Sequence, residues 1–199
     1  MNYALLAGKE LGELKIVMSG AGAAGLRICE MLKAAGAKNV TMCDINGVLS
    51  ASRTDLNEYN RIHAVDTEIK TLKEAIVGAN VFIGVSAANV LTGEDVKTMG
   101  EFPAIFAMAN PDPEIAPAEV EKALAGRRYV MVTGRSDYPN QINNGLGFPY
   151  LFRGALDVRA TTINKEMKVA AADALANLAR QEVPEDIKAL YPNENLVFG

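Results

Sequence analysis

The sequence predicts an α/β domain in which a doubly wound parallel sheet carries helices on both faces. Two observations predict this architecture. Five short apolar runs are nearly continuous rather than alternating, which is typical of parallel strands that are buried on both faces. Segments with helical patterning separate these runs, so right-handed helical crossovers can join consecutive parallel strands.

The predicted elements alternate along the chain. Strands are predicted at residues 15–19, 39–44, 80–85, 104–109 and 128–133. Helices are predicted at residues 23–35, 72–78, 94–99, 118–125 and 164–180. Thr92 and Asp95 resemble a capping box at the start of the third helix, and Gly36 stands where the first helix needs a C-cap.

The composition argues against several function classes. The 199 residues are 49% apolar and 22% charged, which is typical of a globular domain with a substantial core. A net charge of −4 argues against a nucleic-acid partner. No stretch approaches the roughly 18 apolar residues of a membrane span, and no signal peptide precedes the first strand, so a cytoplasmic location is expected. Cys29 and Cys43 are expected to be reduced thiols of the core.

A glycine-rich turn joins the first strand to the first helix. The motif Gly-x-Gly-x-x-Gly is formed by Gly20, Ala21, Gly22, Ala23, Ala24 and Gly25. In such a turn the first glycine permits the tight bend, the second lets a pyrophosphate approach, and the third lets helix and strand pack closely. The helix N-terminus then offers free N–H groups to phosphates. This context predicts a Rossmann-type dinucleotide-binding domain over residues 1–180, followed by a polar tail or the start of a truncated extension at 181–199.

Asp44 ends the second strand and is the candidate ribose-binding carboxylate. It lies 19 residues after Gly25, close to the spacing of about 20 that is typical of this role. A carboxylate repels a 2′-phosphate, and the segment CDINGV supplies no Lys or Arg to offset it, so NAD is favoured over NADP. Arg53 and Arg61 follow in the next loop and could reach across. An aspartate that only caps a turn is the alternative.

Other candidates follow the third and fourth strands, where ligands bind in such sheets. Ser86 could contact the cofactor or simply cap its loop. Asn110 is held extended by the proline after it, and its amide can both donate and accept. Asp112 and Glu114 could form an acid–base pair, but turn and cap roles are favoured for both.

The fifth strand leads into a segment with several amides, GRSDYPNQINNGLGFPYLF. We expect these amides to line the cleft beyond the strand ends, and the apolar run that begins at Phe148 to start a helix. A loop that only satisfies its own backbone is the alternative. His63, the one histidine of the sequence, is expected in a solvated loop.

Together these motifs resemble the NAD-binding domain of bacterial-type malic enzymes. The resemblance is carried by VMSGAGAAG, CDINGVL, FIGVSAANVLT, IFAMANPDPEI and TGRSDYPNQINNGLGFPYLFRGALDV. It implies oxidative decarboxylation of malate to pyruvate and CO2 with NAD or NADP and Mg2+ or Mn2+. It implies that Gly20 to Gly25 and Asp44 bind the dinucleotide, that Asn110 lies near nicotinamide and malate, and that one or both of Asn143 and Asn144 bind the substrate or cofactor.

The sequence also departs from the family. A Lys is usual two positions after the second-strand aspartate, where this chain has Asn46; this agrees with NAD. The family's catalytic Tyr and Lys and its acidic metal ligands belong to an N-terminal domain, and no such motif occurs here. We therefore expect no catalytic residue and no metal ligand in this chain, no turnover by the chain alone, and a homo-oligomer only for the full-length protein. A stand-alone nucleotide-binding or regulatory module, or the cofactor domain of another dehydrogenase, is the alternative.

Overall fold

A computed structural model describes residues 1–190, which divide into two compact units. The first is Lys9–Asn143 and contains the whole sheet. The second is Met1–Gly8 together with the described residues from Asn144 onward. Each is described separately below.

The sheet has six strands in the order β3-β2-β1-β4-β5-β6. They are β1 (Lys15–Ser19), β2 (Asn39–Asp44), β3 (Gly47–Val48), β4 (Val81–Gly84), β5 (Ala104–Ala107) and β6 (Val130–Thr133). All neighbouring pairs are parallel except β2 with β3. The five predicted parallel strands and the Rossmann-type α/β architecture are confirmed. β3 was not predicted, because a two-residue strand after a turn is too short to show periodicity.

The described helices lie before, between and after the strands. In the first unit they are α2 (Ala23–Ala34), α3 (Glu58–Arg61), α4 (Leu72–Ile76), α5 (Gly93–Lys97) and α6 (Pro117–Ala123). In the second unit they are α1 (Asn2–Leu6), α7 (Phe148–Asp157), α8 (Lys165–Leu178) and α9 (Glu185–Leu190). Short 3-10 helices occupy Leu11–Glu13 and Asn144–Leu146. The five predicted helices are present within a few residues of their expected ends; α9 lies inside the predicted tail, whose remaining residues 191–199 are outside the described part.

Local signals start and end these helices as expected. The Thr92 hydroxyl accepts from the N–H of Asp95 while the Asp95 carboxylate accepts from the N–H of Thr92, so the predicted capping box at α5 is confirmed. An equivalent box joins Thr71 and Glu74 at α4. Gly36 follows α2 with a φ of +107°, the left-handed conformation that ends helices.

The sheet is buried on both faces. Successive strand residues point to opposite sides, and Ile16, Val17 and Met18 of β1 are all at most 1% exposed. On one side Val17 belongs to a core cluster with Phe82 and Ile105 of the neighbouring strands and with residues of α4, α5 and α6. Cys29 and Cys43 are free and buried, and burial raises the pKa of the Cys43 thiol to about 12. Both predicted core thiols are thus placed in the interior.

The prediction of a solvated His63 is wrong, since the side chain is only 5% exposed. Its Nδ1 lies 3.4 Å from the Sγ of Cys29 and 3.4 Å from the Nζ of Lys33 on α2. An ammonium can only donate, so Nδ1 accepts and the ring is neutral. Burial, followed by the nearby Lys33 charge, lowers the pKa of His63, and Glu30 opposes this more weakly.

We expect this histidine to make the folded state sensitive to mild acid. Its folded pKa is lowered, so the unfolded chain binds the proton more readily, and stability falls as the pH falls through 6.5, the ordinary value, towards the folded value. Urea unfolding between pH 8 and pH 5 should show this loss, and His63→Asn should flatten the dependence. An identical pH dependence in both proteins would contradict the assignment.

Within residues 1–190, no helix is long and apolar enough to cross a membrane.

Candidate dinucleotide site

A cavity opens at the carboxyl edge of the sheet where the strand order reverses. β1 pairs with both β2 and β4, and the chain leaves these strands towards opposite sides, which is where ligands bind in such sheets. The cavity measures about 610 Å³. It is lined by the phosphate loop, the end of β2 and the loop after β4, including Gly20, Ala21, Gly22, Asp44 and Ser86. The fold therefore brings together predicted site residues that are far apart in the sequence.

The three motif glycines differ in what confines them. Gly20 has a φ of +111°, and a Cβ there would lie 2.5 Å from the carbonyl oxygen of Val85. A Cβ on Gly25 would overlap the carbonyl oxygen of Gly20, so the loop closes against the first turn of α2. Gly22 has no atom within 4 Å of its would-be Cβ. The space over Gly22 is therefore open for a ligand, whereas the other two positions are filled by the protein's own backbone.

The start of α2 suits an anion. Gly22 is the N-cap residue, and no side chain caps the helix there. Ala23 and Ala24, which follow it, are exposed at the first turn. Free N–H groups and the positive end of the helix dipole favour a phosphate at this point. The loop therefore fits the pyrophosphate of a dinucleotide.

A positive charge lies beside Asp44, and it comes from one of the two arginines that the sequence left as possible partners. Arg53 donates to both its carboxylate oxygens, NH1 to Oδ1 and NH2 to Oδ2, each at 2.8 Å. The same guanidinium donates to Asp55, at 2.9 Å from Nε and 2.6 Å from NH2. The possibility that Arg53 reaches across to Asp44 is therefore confirmed, because the loop after β3 folds back and brings Arg53, nine positions further along the chain, beside it. Arg61 does not reach and donates instead to the carbonyl of Leu56.

This carboxylate–guanidinium–carboxylate group still carries one net negative charge. Hydrogen bonds from Arg53 lower the pKa of Asp55 to about 2, and bonds to Asp55 and Asp44 raise the pKa of Arg53. Arg53 also donates to the carbonyls of Gly47 and Val48, so its position is fixed. Asp44 accepts in addition from the N–H of Asn46 at 2.8 Å. Asp44 therefore lines the cavity with a carboxylate of fixed orientation, as a ribose diol requires.

Glu114 is the site residue that sequence reasoning missed. We predicted a turn or cap role, but α6 is capped by Ala116 and the Glu114 side chain is fully buried. Its Oε1 accepts from the N–H of Ser86 at 2.8 Å, and its Oε2 accepts from the N–H of Ala109 at 3.0 Å. It thus joins the loop after β4 to the end of β5. The sequence feature that goes with this placement is Gly84, because a Cβ at that position would overlap the Glu114 carboxyl group.

Asp112 does not pair with Glu114. It lies 3.6 Å from Arg135, which also donates to the carbonyl of Pro111 at 3.2 Å and to Asp137 at 2.8 Å. Arg135 therefore ties the loop after β5 to the loop after β6. Asn110 is exposed between these contacts and Glu114, at the edge of the sheet where it was predicted.

The first part of the amide-rich segment pairs with the last strand of the sheet, and the second part continues into the other unit. The Asn140 side chain donates to the carbonyl of Met131, and the N–H of Ile142 donates to the carbonyl of Thr133, so this part covers the exposed edge of β6. That matches the alternative of a loop that satisfies backbone groups. Asn143 is exposed at the end of the first unit, and Asn144 begins the 3-10 helix of the second.

The described part of the chain was expected to hold no metal ligand, and the placement of its acidic, His and Cys side chains bears on this. Among the described residues 1–190, no group of three or more His, Cys, Asp or Glu side chains is placed to hold a metal ion. The described site therefore fits a dinucleotide and does not fit a divalent metal.

Comparison with known proteins places this geometry in one family. A family model described as "Malic enzyme, NAD binding domain" matches residues 3–197. An NADP-dependent malic enzyme of Rhizobium meliloti is 52% identical over the whole chain, and an NAD-dependent malic enzyme of the same organism is 48% identical. This chain spans 26% of the length of each.

A solved structure agrees with this. The crystal structure of Entamoeba histolytica malic enzyme has a TM-score of 0.83 and 38% identity, over 92% of this chain and 40% of that one. The fold of this chain is therefore that of part of a malic enzyme. The chain belongs to the malic enzyme NAD-binding domain family.

Proposed function

We propose that this chain is the cofactor-binding part of an NAD-linked malic enzyme, which converts malate to pyruvate and CO2 and reduces the cofactor. The cavity at the strand reversal carries this proposal, since its open Gly22 and its oriented Asp44 suit the two ends of an adenosine diphosphate group. When bound, the nicotinamide supplies the hydride acceptor.

Each predicted site residue has a binding or orienting part in this proposal. The N–H groups at the start of α2 hold the pyrophosphate, and Asp44 accepts from the adenosine ribose. Ser86 lines the same cavity. Asn110 and one of Asn143 and Asn144 would contact malate or the nicotinamide end through their amides. No described residue is proposed as the base or as a metal ligand.

The net charge around Asp44 supports NAD over NADP. A 2′-phosphate would meet Asp44 and Asp55, which Arg53 neutralises only in part. Asn46 adds no cation beside them. Relatives named for either cofactor are similarly close to this chain, so family membership alone does not decide the choice.

We expect the purified chain to bind NADH but to form no NADH from malate and NAD with Mn2+. The reason is that the described residues contain no metal-binding cluster. A titration followed by NADH fluorescence measures binding, and absorbance at the NADH wavelength measures NADH formation. A chain that binds no NADH would contradict the proposed function, and malate-dependent turnover would contradict the assignment of base and metal to the remainder of the enzyme.

A further inference from the structure

Two serines and Glu114 form a hydrogen-bonded row across the wall of the cavity. Ser19 ends β1 and Ser86 follows β4, and their hydroxyl oxygens are 2.9 Å apart. Ser86 Oγ also donates to Glu114 Oε1 at 3.2 Å. Both serines line the cavity, while Glu114 lies fully buried behind them.

The number of available protons determines which group donates in each hydrogen bond of this row. A hydroxyl has one proton to donate, and a carboxylate oxygen can only accept. The Ser86 proton is directed to Glu114, so Ser19 must donate in the bond between the two serines. Ser86 Oγ is left with acceptor capacity alone.

We propose that Glu114 is a positioning residue that makes the Ser86 hydroxyl an acceptor-only contact for the bound dinucleotide. This rests on the proposed function. Phosphate oxygens carry no proton to give at neutral pH, whereas ribose hydroxyls and the carboxamide NH2 group do. Ser86 therefore recognises a sugar hydroxyl or the carboxamide and not the pyrophosphate, although it shares a cavity with the phosphate loop.

The surroundings of Glu114 show why it holds this position. Each carboxylate oxygen accepts a main-chain N–H, one from Ser86 and one from Ala109. Gly84 leaves the space that the carboxyl group occupies. The main-chain N–H of Leu91 donates to the Glu114 carbonyl, so the backbone is held as well. The carboxylate thus has one orientation, and its Oε1 atom accepts the Ser86 proton in a fixed direction.

A double-substitution cycle on NADH affinity tests this positioning role. Ser86→Ala should weaken NADH binding about tenfold, the value of one hydrogen bond. Glu114→Gln should weaken it to a similar degree, because glutamine has one accepting oxygen and its NH2 group must face a donor at either Ser86 or Ala109, which displaces the side chain. The double variant should lose about tenfold rather than a hundredfold, since both changes remove the same oriented acceptor. Urea unfolding, measured separately, reports the structural cost of each change.

The matched control is Glu121→Gln, which removes a carboxylate from an exposed position of α6. Its NADH affinity should equal that of the wild type. The positioning role would be overturned if the losses of NADH affinity in the two single variants added up in the double variant, or if Glu114→Gln bound NADH as tightly as the wild type. In either case NADH binding by the wild-type chain would still support the proposed function. A wild-type chain that binds no NADH would overturn both.

A structure of the wild-type chain with NADH gives a second test that needs no variant to fold. The Ser86 oxygen should lie within hydrogen-bond distance of a ribose hydroxyl or the carboxamide nitrogen. A hydrogen bond between Ser86 Oγ and a phosphate oxygen would overturn the proposal, because the serine would then have to donate.

Discussion

Gly25→Ala is expected to lower the free energy of unfolding by about 3 kcal/mol or more, at the upper end of what overpacking costs. The added Cβ would overlap the carbonyl oxygen of Gly20, which is main chain and cannot rotate away. Either α2 must move from β1 or the phosphate loop must open. Urea unfolding monitored by circular dichroism would measure the loss, and NADH binding should be lost with it.

Gly22→Ala is the matched control for this substitution. No atom lies within 4 Å of its would-be Cβ, and its φ of −84° is open to alanine. The free energy of unfolding should stay within about 0.5 kcal/mol of the wild type, as is usual when the new side chain makes no contact. NADH affinity should fall by tenfold or more, since the methyl group occupies the space that the pyrophosphate needs. Equal stability losses at the two glycines would contradict the division of roles between them.

Asp44→Ala is expected to reverse or abolish a preference for NAD. The ribose loses hydrogen bonds to a charged acceptor, which are worth about 1.5–3 kcal/mol, so NADH affinity should fall by roughly tenfold to a hundredfold. Arg53 loses its Asp44 partner and becomes available to a 2′-phosphate, so NADPH affinity should rise. Competitive titrations of NADH and NADPH measure the ratio.

Two further variants sharpen this test. Arg53→Ala removes the cation and should increase discrimination against NADPH, opposite in sign to Asp44→Ala. Asp66→Ala removes an exposed aspartate outside the cavity and should leave both affinities unchanged. An unchanged NADH-to-NADPH ratio in Asp44→Ala would show that Asp44 does not read the ribose.

Local patterns were sufficient for the elements with strong signals. The strands β1 and β2 begin and end at the predicted residues, because continuous apolar runs bounded by turn residues leave little freedom in their limits. The Thr92–Asp95 capping box was readable because its partners are three positions apart. The short helices α1 and α3 were not predicted, since four or five residues carry too little periodicity and, unlike α4 and α5, neither begins with a capping box.

Side chains that act across long sequence separations were misjudged. Asp112 and Glu114 are two positions apart, yet one is bound to Arg135 at the surface and the other is buried beneath Ser86. Nothing in the neighbouring sequence indicates which of the two carboxylates is buried and which is exposed. His63 was assigned to solvent because polar residues surround it, but its loop packs onto Cys29 of α2.

The sequence by itself determined the α/β class, the phosphate loop after β1 and the carboxylate at the end of β2. Each depends on residues that are neighbours in the chain, so spacing and residue type were enough. Only the tertiary structure decided that Arg53 binds Asp44, that Glu114 orients Ser86, and which glycine faces open space. These depend on which loops meet at the carboxyl edge of the sheet and on the reach of side chains between them.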